Sequence, residues 1–215
     1  MQSNNEFIRI SDLSQMGSCE TRFIDAVKGR LFTTTAMKVG AVMHDTLAKS
    51  EPKLSPTEIL DKIEGREEFW VTEMPIKDLV FMLSGRIDRL YMNGKVSNGK
   101  SQCIIIDHKY PREPYRSIPH YYAIQLVAYA SCIEHSPIYG RRCKVVDAQL
   151  VSREKETHRV TSSVDMGESS LESGIRNMPE LVKRAWEIKR EESAPEHRRF
   201  NIVKGEWMEC YCKVG

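Results

Sequence analysis

Two aspartates and a lysine stand out as residues that could act together on a phosphate group. Asp88 lies in an apolar segment over residues 81–90, and Asp107 ends the run I-I-I-D at 104–107, two residues before Lys109. A stretch rich in Gly and Asn at 92–100 separates the two segments and predicts a hairpin-like turn between two strands. The Ile-rich run is typical of a strand buried on both faces. The two carboxylates should therefore converge on neighbouring strands.

Converging carboxylates bind hard divalent ions, and Mg²⁺ uses a partial set of them while keeping several waters. Strand alternation puts Asp107 and Lys109 on the same face, where the lysine can orient an attacking water or stabilise charge on a phosphate. The pattern thus predicts metal-assisted hydrolysis of phosphodiesters. The alternative is an edge salt bridge between Asp107 and Lys109 with Asp88 on a solvated strand. A D-x-K triplet alone would favour that alternative, whereas the added G-R-I-D segment at 85–88 favours the nuclease.

These two segments, G-R-I-D-R-L at 85–90 and I-I-D-H-K at 105–109, resemble the core of the PD-(D/E)XK nucleases in its RecB-like form. Within that superfamily the chain is most similar to the CRISPR-associated exonucleases that carry an iron–sulfur cluster. Single-strand DNA exonucleases of the same cluster-bearing type are close behind. The resemblance extends from about residue 10 to residue 212. It implies an Mn²⁺- or Mg²⁺-dependent deoxyribonuclease acting on single-stranded DNA ends, in DNA end processing or in CRISPR adaptation, an antiviral defence, with adaptation proteins as partners.

The resemblance also assigns roles to residues outside the core motif. A family helix of pattern G-x-x-x-H supplies a histidine metal ligand that corresponds to His44, and an imidazole suits Mn²⁺ better than Mg²⁺. The backbone carbonyl of His108 is expected to complete the protein ligands beside Asp88 and Asp107. A family Q-x-x-x-Y pattern that contacts DNA and supports the site corresponds to Gln125 and Tyr129, which share a helical face. A lone histidine or an amphipathic helix could equally be structural.

The loop after Lys109, at residues 110–116, contains two prolines, two arginines and two tyrosines. Arg112 and Arg116 could bind phosphates, and Tyr110 and Tyr115 could stack on bases, which would make this loop a guide for the DNA strand. An ordinary polar loop is the alternative.

The six cysteines favour a metal centre over disulfides. No apolar run approaches the length of a membrane span and the N-terminus lacks a signal-peptide pattern, so we expect a reducing, cytoplasmic location. The resemblance implies an iron–sulfur cluster held by Cys19, Cys210 and Cys212. The family tail has C-x-x-C and a further Cys, whereas this chain has C-x-C. The fourth ligand stays open, and the centre could instead be zinc-filled or lost. The candidates are Cys132, Cys143, Cys103 and His197.

The expected fold is α/β, a restriction-endonuclease-like core with a central mixed β-sheet flanked by helices. We expect one nuclease domain over residues 1–215, with a helical N-terminal part at 1–70, a catalytic sheet core at 71–165, and a C-terminal helix and Cys tail at 166–215. Helices are predicted at about 10–28, 38–47, 55–70 and 169–192, and from residue 119; further strands are predicted at 71–76, 143–151 and 157–161. The net charge of +2 creates no global field, so DNA contacts must come from local basic patches.

Two other classes of function are compatible with the sequence. A nuclease-fold subunit could bind DNA or assemble with partners without cutting, although the complete Asp–Asp–Lys set argues against that. A redox protein carrying only the metal cluster is the second alternative, which an absorbance spectrum before and after reduction would distinguish.

Overall fold

The structure is a computed structural model that describes residues 6–31, 42, 46, 49, 54–210 and 212. Its centre is a six-stranded mixed sheet, and a separate two-stranded sheet lies near the C-terminus. The elements in chain order are β1 Ile8–Arg9, α1 Ile10–Leu13, a 3-10 turn Ser14–Gly17, α2 Glu20–Val27, α3 Pro56–Glu64, β2 Glu68–Asp78, β3 Leu83–Ser97, β4 Lys100–Lys109, α4 His120–His135, β5 Cys143–Arg153, β6 Val160–Asp165, α5 Glu168–Lys189, β7 Arg198–Asn201 and β8 Glu206–Glu209.

The sheet topology confirms the predicted α/β class. β3 pairs with β2 and β4 in antiparallel fashion, β4 pairs with β5 in parallel, and β5 pairs with β6 in antiparallel fashion. A parallel pair requires a crossover connection, and α4 provides it between β4 and β5. α5 packs on α4 at Gly174, where an added Cβ would lie 2.5 Å from Val127 Cγ2. The helices thus cover the sheet that bears the predicted carboxylates.

The N-terminal region differs from the single helix predicted for 10–28. The chain forms α1 and the 3-10 turn, then breaks, and Cys19 adopts an extended conformation with φ −173° and ψ 144° before α2 begins. The break follows from packing, because Gly17 lies against the first turn of α4 and an added Cβ would be 2.6 Å from Tyr121 N. Cys19 therefore occupies the N-cap position of α2 instead of lying inside a helix.

The β3–β4 hairpin is confirmed, but its turn is shorter than predicted. β3 continues to Ser97, and only Asn98 and Gly99 form the turn, both with positive φ (51° and 78°), as a type I′ turn requires. Gly94, with φ 69°, accompanies a register shift inside the hairpin instead of ending the strand. Turn-forming residues in the middle of a long hairpin therefore mark an irregularity and not a boundary.

Other boundaries shift by a few residues. α3 begins where predicted, with a capping box in which Ser55 Oγ accepts a hydrogen bond from the N–H of Glu58 at 3.3 Å, but it ends at Glu64 because β2 already starts at Glu68. β6 lies at 160–165 instead of 157–161, α5 ends at Lys189 instead of residue 192, and the β7–β8 hairpin was not predicted. The helix predicted at 38–47, with His44, lies outside the described residues apart from Val42 and Thr46, which are helical.

A single apolar core joins the N-terminal helices to the sheet and to β7. Phe23, Ile105, Ile124 and Phe200 are each fully buried and belong to the same cluster. This shared core fixes the carboxylate-bearing strands relative to both ends of the described chain. Among the described residues, no helix has both the length and the apolar composition that crossing a bilayer requires.

Candidate active site and cysteine cluster

The two predicted aspartates and the lysine meet on adjacent strands. Asp88 on β3 accepts a hydrogen bond from the backbone N–H of His108 at 3.0 Å. On β4, Asp107 accepts a hydrogen bond from Lys109 Nζ at 2.8 Å. Asp107 is 1% exposed, and its Oδ2 accepts no hydrogen bond from any residue that the structure describes. A buried carboxylate oxygen in this situation is suited to binding a cation.

The electrostatics of this group also favour a cation. Burial, followed by the negative charge of Asp107, raises the pKa of Asp88 well above its usual range, although the Lys109 ammonium opposes the shift. Burial alone would lower the pKa of Lys109, but the charges of Asp107 and Asp88 raise it overall, so the lysine is protonated at neutral pH. Two carboxylates thus share a single ammonium group. The donor set fits a divalent ion, which would offset the remaining negative charge.

The position of the Asp88 carboxylate depends on a shift in the alternation of inward- and outward-facing side chains along β3. Ile87 and Leu90 are both buried although they lie three positions apart, so the inward-facing alternation of β3 shifts at Asp88. On β2, opposite Asp88, Glu73 has a φ of 53°, a conformation that costs a residue other than glycine about 1–3 kcal/mol. Glu73 forms an ion pair with Arg86 at 3.1 Å. The local strain therefore accompanies the placement of a site carboxylate.

Gln125 and Tyr129 lie on one face of α4, as predicted, and Gln125 Nε2 donates a hydrogen bond to Tyr129 Oη at 3.2 Å. Tyr129 is 5% exposed, and its pKa is raised by burial and then by the charges of Asp107 and Asp88. Tyr129 therefore lies close enough to both carboxylates to feel their charge. Gly85 makes room for it, because an added Cβ would lie 2.9 Å from Tyr129 Cε1.

We expect Gly85→Ala to lower the free energy of unfolding by about 1–3 kcal/mol, because the new methyl group overlaps a buried ring. Urea denaturation of the wild type and the variant measures this change. The adjacent Ser84→Ala is the matched control and should stay within about 0.5 kcal/mol of the wild type. In a Tyr129→Ala background, Gly85→Ala should lower the free energy of unfolding by a smaller amount. An undiminished cost there would show that the ring is not the cause.

Three tyrosines border the lysine. The Tyr122 ring lies 5.0 Å from Lys109 Nζ, and its centroid is 5.5 Å from that of Tyr115 and 4.2 Å from that of Tyr121. The sequence did not predict that Tyr121 and Tyr122 lie near Lys109, although two adjacent tyrosines in the first turn of a predicted helix were the available signal. Burial and the neighbouring Tyr115 raise the pKa of Tyr121 to about 12, so it stays neutral. This tyrosine group offers an aromatic surface beside the carboxylates.

The loop at residues 110–116, predicted to guide the DNA strand, is only partly exposed to solvent. Arg112 and Arg116 are exposed, and neither forms an ion pair with a residue that the structure describes. Tyr110, in contrast, is 8% exposed and its hydroxyl lies 3.2 Å from His158 Nδ1. The two arginines and Tyr115 therefore remain candidates for DNA contact, while Tyr110 packs in the interior.

Two histidines, His44 and His108, were predicted to bind the metal. His44 lies outside the described residues. The His108 ring accepts a hydrogen bond at Nδ1 from Arg153 Nε at 3.0 Å, while its backbone N–H binds Asp88. A metal-binding role of the His108 carbonyl stays a prediction.

The cysteines predicted from both ends of the chain do come together. Cys19 Sγ lies 2.9 Å from Cys210 Sγ and 3.1 Å from Cys212 Sγ. His197 Nδ1 lies 3.4 Å from Cys212 Sγ, and the four ligand atoms all lie within 4.8 Å of one another. A disulfide joins Cys210 to Cys212 in the structure, whereas the sequence predicted that both cysteines bind a metal. The other cysteines are free and buried elsewhere, namely Cys103, Cys132 and Cys143.

These four ligand atoms can hold a metal once the cysteines are reduced. With zinc–sulfur bonds of about 2.3 Å, tetrahedral sulfurs lie about 3.8 Å apart, so the Cys19–Cys210 and Cys19–Cys212 distances of 2.9 and 3.1 Å would each lengthen by less than about 1 Å on binding zinc. Four-iron clusters are held by four cysteines, so the histidine is a departure from that pattern. The donor set of three thiolates and one imidazole is that of a structural zinc site.

A buried carboxylate orders the residues around this cysteine and histidine group. Glu20 is 0% exposed and accepts hydrogen bonds from Arg184 at 3.0 and 2.7 Å, from Arg198 at 2.7 Å, and from the N–H of Glu196 at 2.7 Å. Glu20 directly follows the first cysteine of the group, and Glu196 and Arg198 flank its histidine. The network thus positions two of the four ligand residues without any metal.

Paired carboxylates and a D-x-K lysine on adjacent strands of a helix-flanked mixed sheet define a restriction-endonuclease-like nuclease fold. The family model of the PD-(D/E)XK nuclease superfamily matches residues 48–210. The chain belongs to that superfamily.

Solved structures that are similar to this chain share little sequence with it. A candidate exonuclease from Eubacterium rectale is 15% identical and superposes with a TM-score of 0.52, covering 91% of this chain and 85% of that one. An alkaline exonuclease from Laribacter hongkongensis is 13% identical, with a TM-score of 0.42 and coverage of 87% and 93% respectively. No curated protein sequence matches the chain.

Proposed function

We propose that this protein is a metal-dependent deoxyribonuclease that hydrolyses phosphodiester bonds at single-stranded DNA ends. The observation that carries the proposal is the buried Asp107, paired to Lys109 at 2.8 Å and adjacent to Asp88. Membership of a nuclease superfamily supports the reaction class. The exonuclease character, and a place in DNA end processing or CRISPR adaptation, rest on the sequence resemblance.

In this proposal Asp88 and Asp107 hold an Mn²⁺ or Mg²⁺ ion, with His44 and the His108 carbonyl as further predicted ligands. A bound divalent cation supplies Lewis-acid polarisation of the phosphate and lowers the pKa of water. Lys109 directs its ammonium group toward the same point and orients the attacking water or stabilises charge on the phosphate. Tyr129 and Gln125 hold this arrangement from the helix side.

The neighbouring surface suits a single strand of DNA. Arg112 and Arg116 are exposed cations able to bind phosphates, and Tyr115 and Tyr122 present aromatic rings next to Lys109. Stacking on aromatic rings requires bases that are not paired, which favours single-stranded ends. The contact of Gln125 with DNA follows from the family pattern.

We further propose that Cys19, His197, Cys210 and Cys212 hold a structural metal. The resemblance suggests an iron–sulfur cluster, whereas the compact spacing and the histidine support a single zinc ion. Metal analysis of protein purified without oxygen, together with its visible spectrum, tests this choice. One zinc and a colourless protein would support the single ion, and iron with inorganic sulfide and a coloured protein would support the cluster.

Replacing Lys109 with methionine should lower the rate of DNA cleavage by about 10²-fold, because a charge that stabilises the reacting phosphate is lost. End-labelled single- and double-stranded oligonucleotides, incubated with Mn²⁺ or Mg²⁺ and resolved on sequencing gels, measure the rate. Lys95→Gln, an exposed lysine at the far end of the hairpin, is the control and should cut like the wild type.

The same assay separates the alternative function. A wild-type protein that binds DNA but never cuts it, with any divalent ion, would be a DNA-binding subunit. Undiminished cutting by Lys109→Met would show that this site is not where the chemistry occurs.

A further inference from the structure

A cavity of about 560 Å³ lies beside the active site, bounded by the 3-10 turn, α2, the start of α4, β7 and the C-terminal segment. Its lining residues are Gly17, Ser18, Arg22, Pro119, His120, Tyr121, Arg199 and Cys212. Three of them carry cationic or titratable basic side chains, and none is acidic. The volume lies within the range of sites that bind small molecules, about 300–1,000 Å³, and so admits one nucleotide.

The charge in this cavity is positive. Arg22 is exposed and forms no ion pair with a residue that the structure describes. His120 and Arg199 both line the cavity, and burial, followed by the charges of Arg199 and Lys204, lowers the pKa of His120. The first turn of α4 has no side-chain cap at Pro119, so the positive end of the helix dipole adds to this field. An anionic ligand would be stabilised here.

Two aromatic rings separate the cavity from the active site. Tyr121 lines the cavity, and its ring centroid lies 4.2 Å from that of Tyr122. Tyr122 in turn lies 5.0 Å from Lys109 Nζ, which is paired to Asp107. A chain of phosphates entering the cavity would therefore reach the carboxylates within a short distance, with bases able to stack on the tyrosines.

We propose that this cavity binds the DNA strand next to the scissile bond, with Arg22 and Arg199 on successive phosphates and Tyr121 against a base. The inference rests on the proposed nuclease function and adds the path of the strand. It places the substrate between the catalytic carboxylates and the cysteine and histidine group, so that Cys212 forms part of the cavity wall. A free mononucleotide carries the same phosphate chemistry and is the other source to be tested.

The test uses fluorescence anisotropy with a single-stranded oligonucleotide and with dAMP as a competitor, in a Lys109→Met background that limits cutting. Arg22→Gln combined with Arg199→Gln should lower the affinity for the oligonucleotide about tenfold. It should also reduce the slope of log affinity against log salt by about 1.4, which corresponds to two lost phosphate contacts on a single strand. The matched control is Lys95→Gln combined with Arg141→Gln, two exposed cations remote from the cavity.

Folding is checked by thermal unfolding, and Arg199→Lys, which keeps the charge, should retain most of the affinity and the slope. An unchanged salt slope in the double Gln variant would overturn the proposal even if the wild type cuts DNA normally. Loss of dAMP competition without loss of oligonucleotide binding would also overturn it, since the cavity would then hold only a mononucleotide. If the wild type neither binds nor cuts DNA, the proposed function itself fails.

Discussion

Asp107→Asn should reduce DNA cleavage by at least about 10³-fold while the protein stays folded. The carboxylate is buried and provides the oxygen that accepts no hydrogen bond from the described residues. Its loss would remove several kcal/mol of transition-state stabilisation by a cation, at about 1.4 kcal/mol for each factor of ten. The asparagine amide has nearly the same shape and can donate a hydrogen bond to Asp88, so the packing is preserved.

Single-turnover cleavage of end-labelled single-stranded DNA measures the effect, and circular dichroism verifies folding. Asp165→Asn, on the exposed edge strand β6, is the control and should leave the rate unchanged. Binding of the uncut strand should be retained in Asp107→Asn, because a negative charge near the phosphates has been removed. Wild-type cleavage by this variant would exclude the proposed metal site.

Glu20→Gln should lower the free energy of unfolding by about 3–5 kcal/mol, the usual loss when one partner of a buried ion pair is removed. The substitution leaves the Arg184 guanidinium, whose side chain is 11% exposed, without its main counter-charge. Chemical denaturation measures the change. Glu191→Gln, which breaks a pair with Lys28 whose side chains are 43% and 73% exposed, is the matched control and should change stability by less than about 1 kcal/mol.

The effect should depend on pH with a defined sign. Burial alone would raise the pKa of Glu20, but the hydrogen bonds from Arg184, the Glu196 N–H and Arg198 bring it below its ordinary value of 4.5. An acid with a lowered pKa stabilises the folded state fully above its unfolded pKa and loses that contribution as pH falls through the folded value. The difference between wild type and Glu20→Gln should therefore shrink below about pH 4.5. A difference that grows in acid would contradict the network.

The arrangement of the carboxylates could be predicted from the sequence because it depends on local rules. Strand alternation and a hairpin bring Asp88, Asp107 and Lys109 together within 22 residues of chain. The convergence of Cys19 with the tail cysteines, in contrast, is not encoded in any local pattern and was expected only from the family resemblance. His197 was one of four open candidates, and only the three-dimensional structure selects it.

Other features depended on contacts that no local pattern contains. The break before Cys19 follows from Gly17 meeting the start of α4, about a hundred residues later in the chain. The left-handed conformation of Glu73 comes from the phase change shared by β2 and β3, which alternation rules do not foresee. The basic cavity likewise combines basic side chains from α2, α4 and β7, so neither its charge nor its position next to Tyr122 could be inferred beforehand.

The carboxylate site and the cysteine and histidine group differ in the sequence separation of the residues that form them. The hydrogen bond from the His108 N–H to Asp88 joins residues 20 positions apart in the sequence, whereas Cys19 and Cys210 are 191 positions apart. A short loop of the first kind closes early and at little entropic cost, while the second contact must await synthesis of residue 210 on the ribosome. The hydrolytic site should consequently take shape on the nascent chain before Cys19 meets Cys210.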